Sequence, residues 1–151
     1  MFFDWFKKDD TSEVKNTNNN HNELQRRDFF RFICVMDMKF SVIHNSEHTL
    51  IHNAIIKDIS AGGIKFITNI NLDLEQLIEC NIMLNTTTIL AKGKVLEKQY
   101  VSETIMKFQY RVLFLDMSRN TQDIIMHYIF TEQKKRNKVN DKKYKRIQTI
   151  E

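Results

Sequence analysis

The sequence predicts an all-β domain of six antiparallel strands, a barrel or a sandwich, followed by one helix. Two observations carry that expectation. Six short stretches rich in β-branched and aromatic residues run from Phe29 to about Met117, mostly separated by polar turns such as "HNSE", "NTT" and "VSE". After Asp116 the apolar spacing changes from the period of a strand to that of a helix.

The first stretch, "FFRFICVMDMKFSVI", mixes alternation with a continuous apolar run, as a barrel strand does. "HTLIHNAIIKDIS" follows, rich in the β-branched residues that suit a pleated, half-buried surface. "GGIKFITN", "EQLIECNIML", "TILAKGKVLEKQYV" and "TIMKFQYRVLFLDM" complete the set. Closing such strands into a barrel removes the unpaired edges that would template aggregation. In "SRNTQDIIMHYIFTEQKKRNK", Ser118 or Asn120 is the expected N-cap, with Asp123 in the first turn. Ile125, Tyr128 and Ile129, with Ile124 beside them, form a stripe able to pack on a barrel end. Basic residues finish the helix, where its dipole favours them.

Three regions follow. Residues 1–22 read as a flexible leader, an aromatic start ("MFFDWF") running into the low-complexity "NTNNNHN". Residues 23–131 hold the barrel and its helix, and 132–151 the basic helix end and tail. A length of 151 residues suits one domain, and 42% hydrophobic residues with 11 Phe suffice for a core. No run of about 18 apolar residues occurs, so no membrane span is expected. The N-terminus lacks the basic-then-apolar layout of a secretory signal. Cys34 and Cys80 stand alone and read as buried thiols of a reducing compartment, which makes the expected location cytoplasmic.

Two stretches carry the chemistry. In "QRRDFFRF", Arg27 and Arg31 are four apart and on a strand would share a face. Arg26 would lean the other way unless the chain there is a loop, as the leader's composition suggests. The arginine fork bonds bidentately to guanine O6 and N7, pairs with phosphate, and stacks on a base. In "KDISAGGIKF", Asp58 and Ser60 are two apart and would also share a face. A carboxylate accepts from the N1–H and exocyclic amine of guanine, a pairing adenine does not offer, while a serine hydroxyl serves base or phosphate. Gly62 and Gly63 are two of only 3 glycines, implying a positive φ or a ligand lying against bare backbone. Singly, the first motif is a solvated pair and the second an ordinary turn. In this order, about 30 residues apart in an all-β domain, the signal is much stronger.

Arg27 and Arg31, followed by Asp58, Ser60 and Gly63, resemble the PilZ domain hallmark, Arg-x-x-x-Arg then Asp/Asn-x-Ser-x-x-Gly, with no hallmark position substituted. The resemblance spans roughly residues 24 to 131 and includes the ending "YRVLFLDMSRNTQDIIMHYIF". It implies a six-stranded antiparallel β-barrel with a C-terminal helix, and a stand-alone receptor for cyclic di-GMP. By the same resemblance, Arg27 and Arg31 would take guanine edges and phosphates. Asp58 and Ser60 would take a guanine's polar edge, and Gly63 would leave room. Arg26, just before the motif, is associated in the family with a stacked ligand pair, so the expectation leans to two cyclic di-GMP per protomer. The Arg-bearing loop would order around the ligand and signal to a downstream protein partner that the residues do not identify.

Other constellations are weaker. His44, His48 and His52 recur at spacing four, but a hairpin would not converge them, so no metal site is expected. No nucleophile–base signature or phosphate-cradling glycine loop is present, so no enzyme and no cofactor are expected. Eight Lys and Arg crowd positions 134–146 against Asp141 in a chain of net charge +4. Such runs are usually solvated, so no specific nucleic acid is expected. The rival readings are a PilZ-like interaction module without a nucleotide, or a small barrel binding RNA or single-stranded DNA through its basic tail.

Overall fold

The computed structural model describes residues 29–44, 50–102 and 104–149. Six strands are formed: β1 (Phe32–Val42), β2 (Ile51–Ile59), β3 (Gly63–Thr68), β4 (Leu77–Leu84), β5 (Thr87–Ser102) and β6 (Lys107–Leu115). They pair antiparallel in the order β1-β2-β3-β6-β5-β4 and close into a barrel, β1 meeting β4 from Met38↔Ile82 to Val42↔Ile78. Every stretch read as a strand is one. Closure settles the barrel against the sandwich.

Alternation builds the interior. In β3, Ile64, Phe66 and Thr68 point inward, and in β4 Ile78, Cys80, Ile82 and Leu84 do the same. A chain of aromatic rings runs through the core, Phe40 to Phe66 to Tyr110 to Phe108, with centroids 5.3, 5.5 and 6.1 Å apart. Both cysteines are buried and unpaired, and burial pushes the Cys34 thiol up to about 11 and Cys80 to about 12. Neither thiolate is available for chemistry near neutral pH.

Tyr110 is fully buried, yet its hydroxyl accepts from Leu72 N–H at 2.7 Å and donates to Ile70 C=O at 2.8 Å. The phenol thereby satisfies two backbone groups of the β3–β4 connection, and burial raises its pKa. Tyr110→Phe keeps the ring and strands both backbone groups. A loss of about 2 kcal/mol in urea-unfolding free energy is expected; an unchanged midpoint would show that water replaces the hydroxyl.

The helix, α1 (Arg119–Gln148), is capped by Ser118, whose Oγ accepts from Thr121 N–H at 3.1 Å. The first turn holds no acidic residue: with the cap at Ser118, Asp123 falls just beyond it. Ile125 and Ile129 are buried against the barrel, with Ile124 and Tyr128 packed beside them. The helix runs on to Gln148, so almost all of the basic tail is helical. No helix among the described residues is long and apolar enough to cross a membrane.

Candidate functional site

β1 begins at the barrel end where β2 finishes, and this juxtaposes the two sequence motifs. Phe32 pairs with Ile59 and Ile33 with Asp58, so Arg31 lies one residue beyond the last pair, alongside the turn that starts at Ser60. Phe29 lies against that turn: a Cβ built on Gly62 would meet the Phe29 ring at 3.0 Å. Arg31, partly exposed, precedes β1 instead of lying in it, so a strand's period of two does not set its direction. Arg26 and Arg27 lie outside the described residues, as does the leader.

Strict alternation would send Asp58 inward with Ala54 and Ile56. It does not, because the β2–β3 register shifts between Ile56 and Asp58 and leaves Lys57 unmatched. On the other side, the β1–β2 register shifts between Ile33 and Met36. An extra residue at a bulge reverses the faces that follow it. Ile59 takes the inward position and Asp58 turns to the outward face, its side chain 15% exposed and its carboxylate 3.7 Å from Lys65 Nζ.

Asp58 and Ser60 do not share a strand face. β2 ends at Ile59, and Ser60 opens a buried turn. Its Oγ accepts from Gly62 N–H and Gly63 N–H, both at 3.2 Å, and lies 3.3 Å from Gly63 C=O, to which it donates. Ser60 N–H closes the turn on the same carbonyl at 2.9 Å. The local-turn reading of Ser60 is thus realised in full.

Of the two expectations for the glycines, the positive φ is not met: neither has one. A Cβ on Gly63 would lie 2.2 Å from the Val112 carbonyl oxygen of β6, so what approaches the bare backbone there is the neighbouring strand. Gly62 C=O accepts from Phe114 N–H at 2.9 Å, tying the turn to β6. A Cβ on Gly62 would meet the Phe29 ring closely and Ser60 Oγ at an ordinary 3.8 Å.

Sequence reasoning missed two cations beside Asp58. Register places Lys65 opposite Asp58, Arg111 opposite Lys65 and Glu97 opposite Arg111, a row of four charges across β2, β3, β6 and β5. Arg111 Nε is buried and lies 3.3 Å from Glu97 Oε2, close enough to pair but not aligned as a hydrogen bond. Lys65 was legible, since it stands two residues after Gly63 on an alternating strand. Arg111 was not, because only cross-strand register brings it there.

The helix reaches the same end of the barrel. The Arg136 guanidinium stacks on the Phe32 ring at 4.0 Å from its centroid, next to Arg31 in sequence. The histidines do not assemble: the His52 ring packs on Phe40 at 5.3 Å, and His48 lies outside the described residues. Among the described residues no group of three His, Cys, Asp or Glu is placed to hold a metal.

A small closed antiparallel barrel, with an arginine-bearing segment beside an Asp-Ser-Gly turn on its rim, defines a class of domain. The PilZ domain family model matches residues 25–131, and the chain belongs to that family. No curated protein matches significantly. Among solved structures, YcgR from Escherichia coli in complex with c-di-GMP is similar at TM-score 0.60 and 18% identity, covering 78% of this chain and 50% of that one. The Klebsiella MrkH–c-di-GMP complex is similar at TM-score 0.60 and 20% identity, covering 76% and 55%. The Bacillus subtilis inhibitor of motility is similar at TM-score 0.56 and 18% identity, covering 72% and 52%. The chain therefore spans about half the length of these structures, and at such identities they share its fold.

Proposed function

We propose that the chain is a receptor for cyclic di-GMP, bound on the outer rim of the barrel, and that it acts by binding and not by catalysis. The observation that carries this reading is the outward Asp58 carboxylate, held by a bulge one strand away from Arg31. An acid and an arginine so placed match a guanine's donor edge and its acceptor edge or phosphate. Family membership and the two c-di-GMP-bound structures of the same fold support it.

In this reading Arg31 and Arg27 take guanine edges and phosphates, and Asp58 takes the N1–H and amine. Ser60 acts mainly through the turn it braces, and Gly62 and Gly63 keep that turn low against the surface. Arg26 adds a third guanidinium, which favours a second, stacked ligand. Ligand-driven ordering of the arginine-bearing segment would pass the signal to a protein partner through the aromatic leader, and hydrogen exchange over residues 20–32 would slow on binding.

Titration calorimetry with cyclic di-GMP, using cyclic di-AMP as control, tests the reading. Sub-micromolar binding, which needs roughly 8 kcal/mol, is expected for the guanine ligand alone, with two molecules per protomer. No heat with cyclic di-GMP, or equal affinity for the adenine analogue, would overturn it.

A further inference from the structure

The distal half of α1 is a separate feature. From Lys134 to Gln148 every residue is exposed, and these 15 residues carry eight Lys and Arg against one acid, Asp141. The whole chain is only +4, so the remainder is net negative. The positive charge of this protein is concentrated on one projecting rod about 22 Å long.

Its distribution around the rod is not uniform. Projected at about 100° per residue, all eight cations fall within one arc of about 200°, with Arg136, which lies on the Phe32 ring, at its edge. Val139 is the only other residue in that arc. The opposite arc holds Asn137, Asn140, Asp141, Tyr144, Ile147 and Gln148, with no cation among them. Like charges set side by side on an isolated helix repel, and no acidic partner within the described residues pairs with those beyond Lys135.

The shape of the charged arc selects its partner. A membrane-surface helix needs a broad apolar face to sink between headgroups; here that face is mostly amide and carboxylate. A planar anionic surface would also meet only the middle of a 200° arc, leaving its flanks in water. A protein interface takes its affinity from buried aromatic and apolar anchors, and this arc has only Val139. A groove is different, because its walls meet both flanks of an inserted helix. The major groove of duplex DNA, about 12 Å wide, admits a helix about 10–12 Å across and lines it with phosphates on both sides.

We infer that the distal half of α1 binds the phosphate backbone of double-stranded DNA, without sequence preference, by seating its cationic arc in the major groove. The binding is electrostatic. It requires no base-reading side chain, because contacts from Lys and Arg to phosphate position a protein on the duplex without carrying sequence information. The inference is independent of the nucleotide ligand proposed for the barrel rim.

The test is fluorescence anisotropy of a short labelled DNA duplex of random sequence, titrated with the full chain at two salt concentrations a factor of two apart. With about five phosphates neutralised, doubling the salt weakens binding about 20-fold. The triple variant Lys138→Gln, Lys142→Gln, Lys145→Gln removes the centre of the arc at little change in helix propensity, and should lose about 100-fold or more in affinity. Its circular dichroism and its response to cyclic di-GMP should match those of the parent, which separates this surface from the rim site. Three results would each overturn the inference: no anisotropy change at low salt, wild-type affinity in the variant, or tighter binding to anionic phosphatidylglycerol vesicles than to the duplex at equal charge concentration.

Discussion

Replacing Gly63 with alanine is expected to destabilise the barrel by about 3 kcal/mol or more, at the upper end of overpacking costs. The reason is geometric. The added Cβ would stand 2.2 Å from Val112 O and 3.3 Å from its carbonyl carbon, both backbone atoms of the paired strand β6. No rotamer relieves a backbone clash, so β3 and β6 must separate where Gly63 pairs with Leu113. The Ser60 turn would be disturbed as well, because Gly63 N–H and C=O both bond to it. Gly62→Ala is the control: its Cβ has one tight contact, at 3.0 Å with the Phe29 ring, a side chain that can swing away, and an ordinary one at 3.8 Å with Ser60 Oγ. Its cost should stay within about 1 kcal/mol. Urea unfolding followed by far-ultraviolet circular dichroism compares the two. Equal midpoints would mean that the β3–β6 spacing yields to a methyl group.

The second large effect falls on the ligand. Arg31→Ala should weaken cyclic di-GMP binding about 5- to 150-fold, equivalent to about 1–3 kcal/mol, and Arg27→Ala by a similar factor. Arg31 stands beside the Ser60 turn at the barrel rim, one residue before the Phe32–Ile59 pair, outside the strand ladder. The substitution leaves the backbone pairing of β1 with β2 in place and removes the fork proposed to contact the nucleotide. Calorimetry reads the change directly. Unchanged affinity in both variants rejects the rim as the binding site, even if the wild-type chain binds.

The strands were legible because each satisfies its backbone with neighbours and buries alternate side chains, a pattern written locally. Ile64, Phe66 and Thr68 show it without help from the rest of the chain. The helix start was legible for the same reason: Ser118 caps with its own side chain, accepting from Thr121 N–H three residues on. The pairing of the two motifs was legible as a coincidence of residue types, and the barrel places Arg31 against the turn beginning at Ser60.

What the residues determined by themselves are the elements, their order and the chemical character of the rim: arginines, an acid, a serine turn and a cationic helix end. Only the assembled barrel decided which way Asp58 faces, since an unmatched Lys57 reverses the alternation that its own strand would follow. It also decided why Gly63 must be glycine and that Arg111 joins Lys65, because both depend on β6, a strand placed beside β3 by the non-sequential strand order. Local patterns record what a residue prefers within its own segment; contacts between distant segments exist only once register is set.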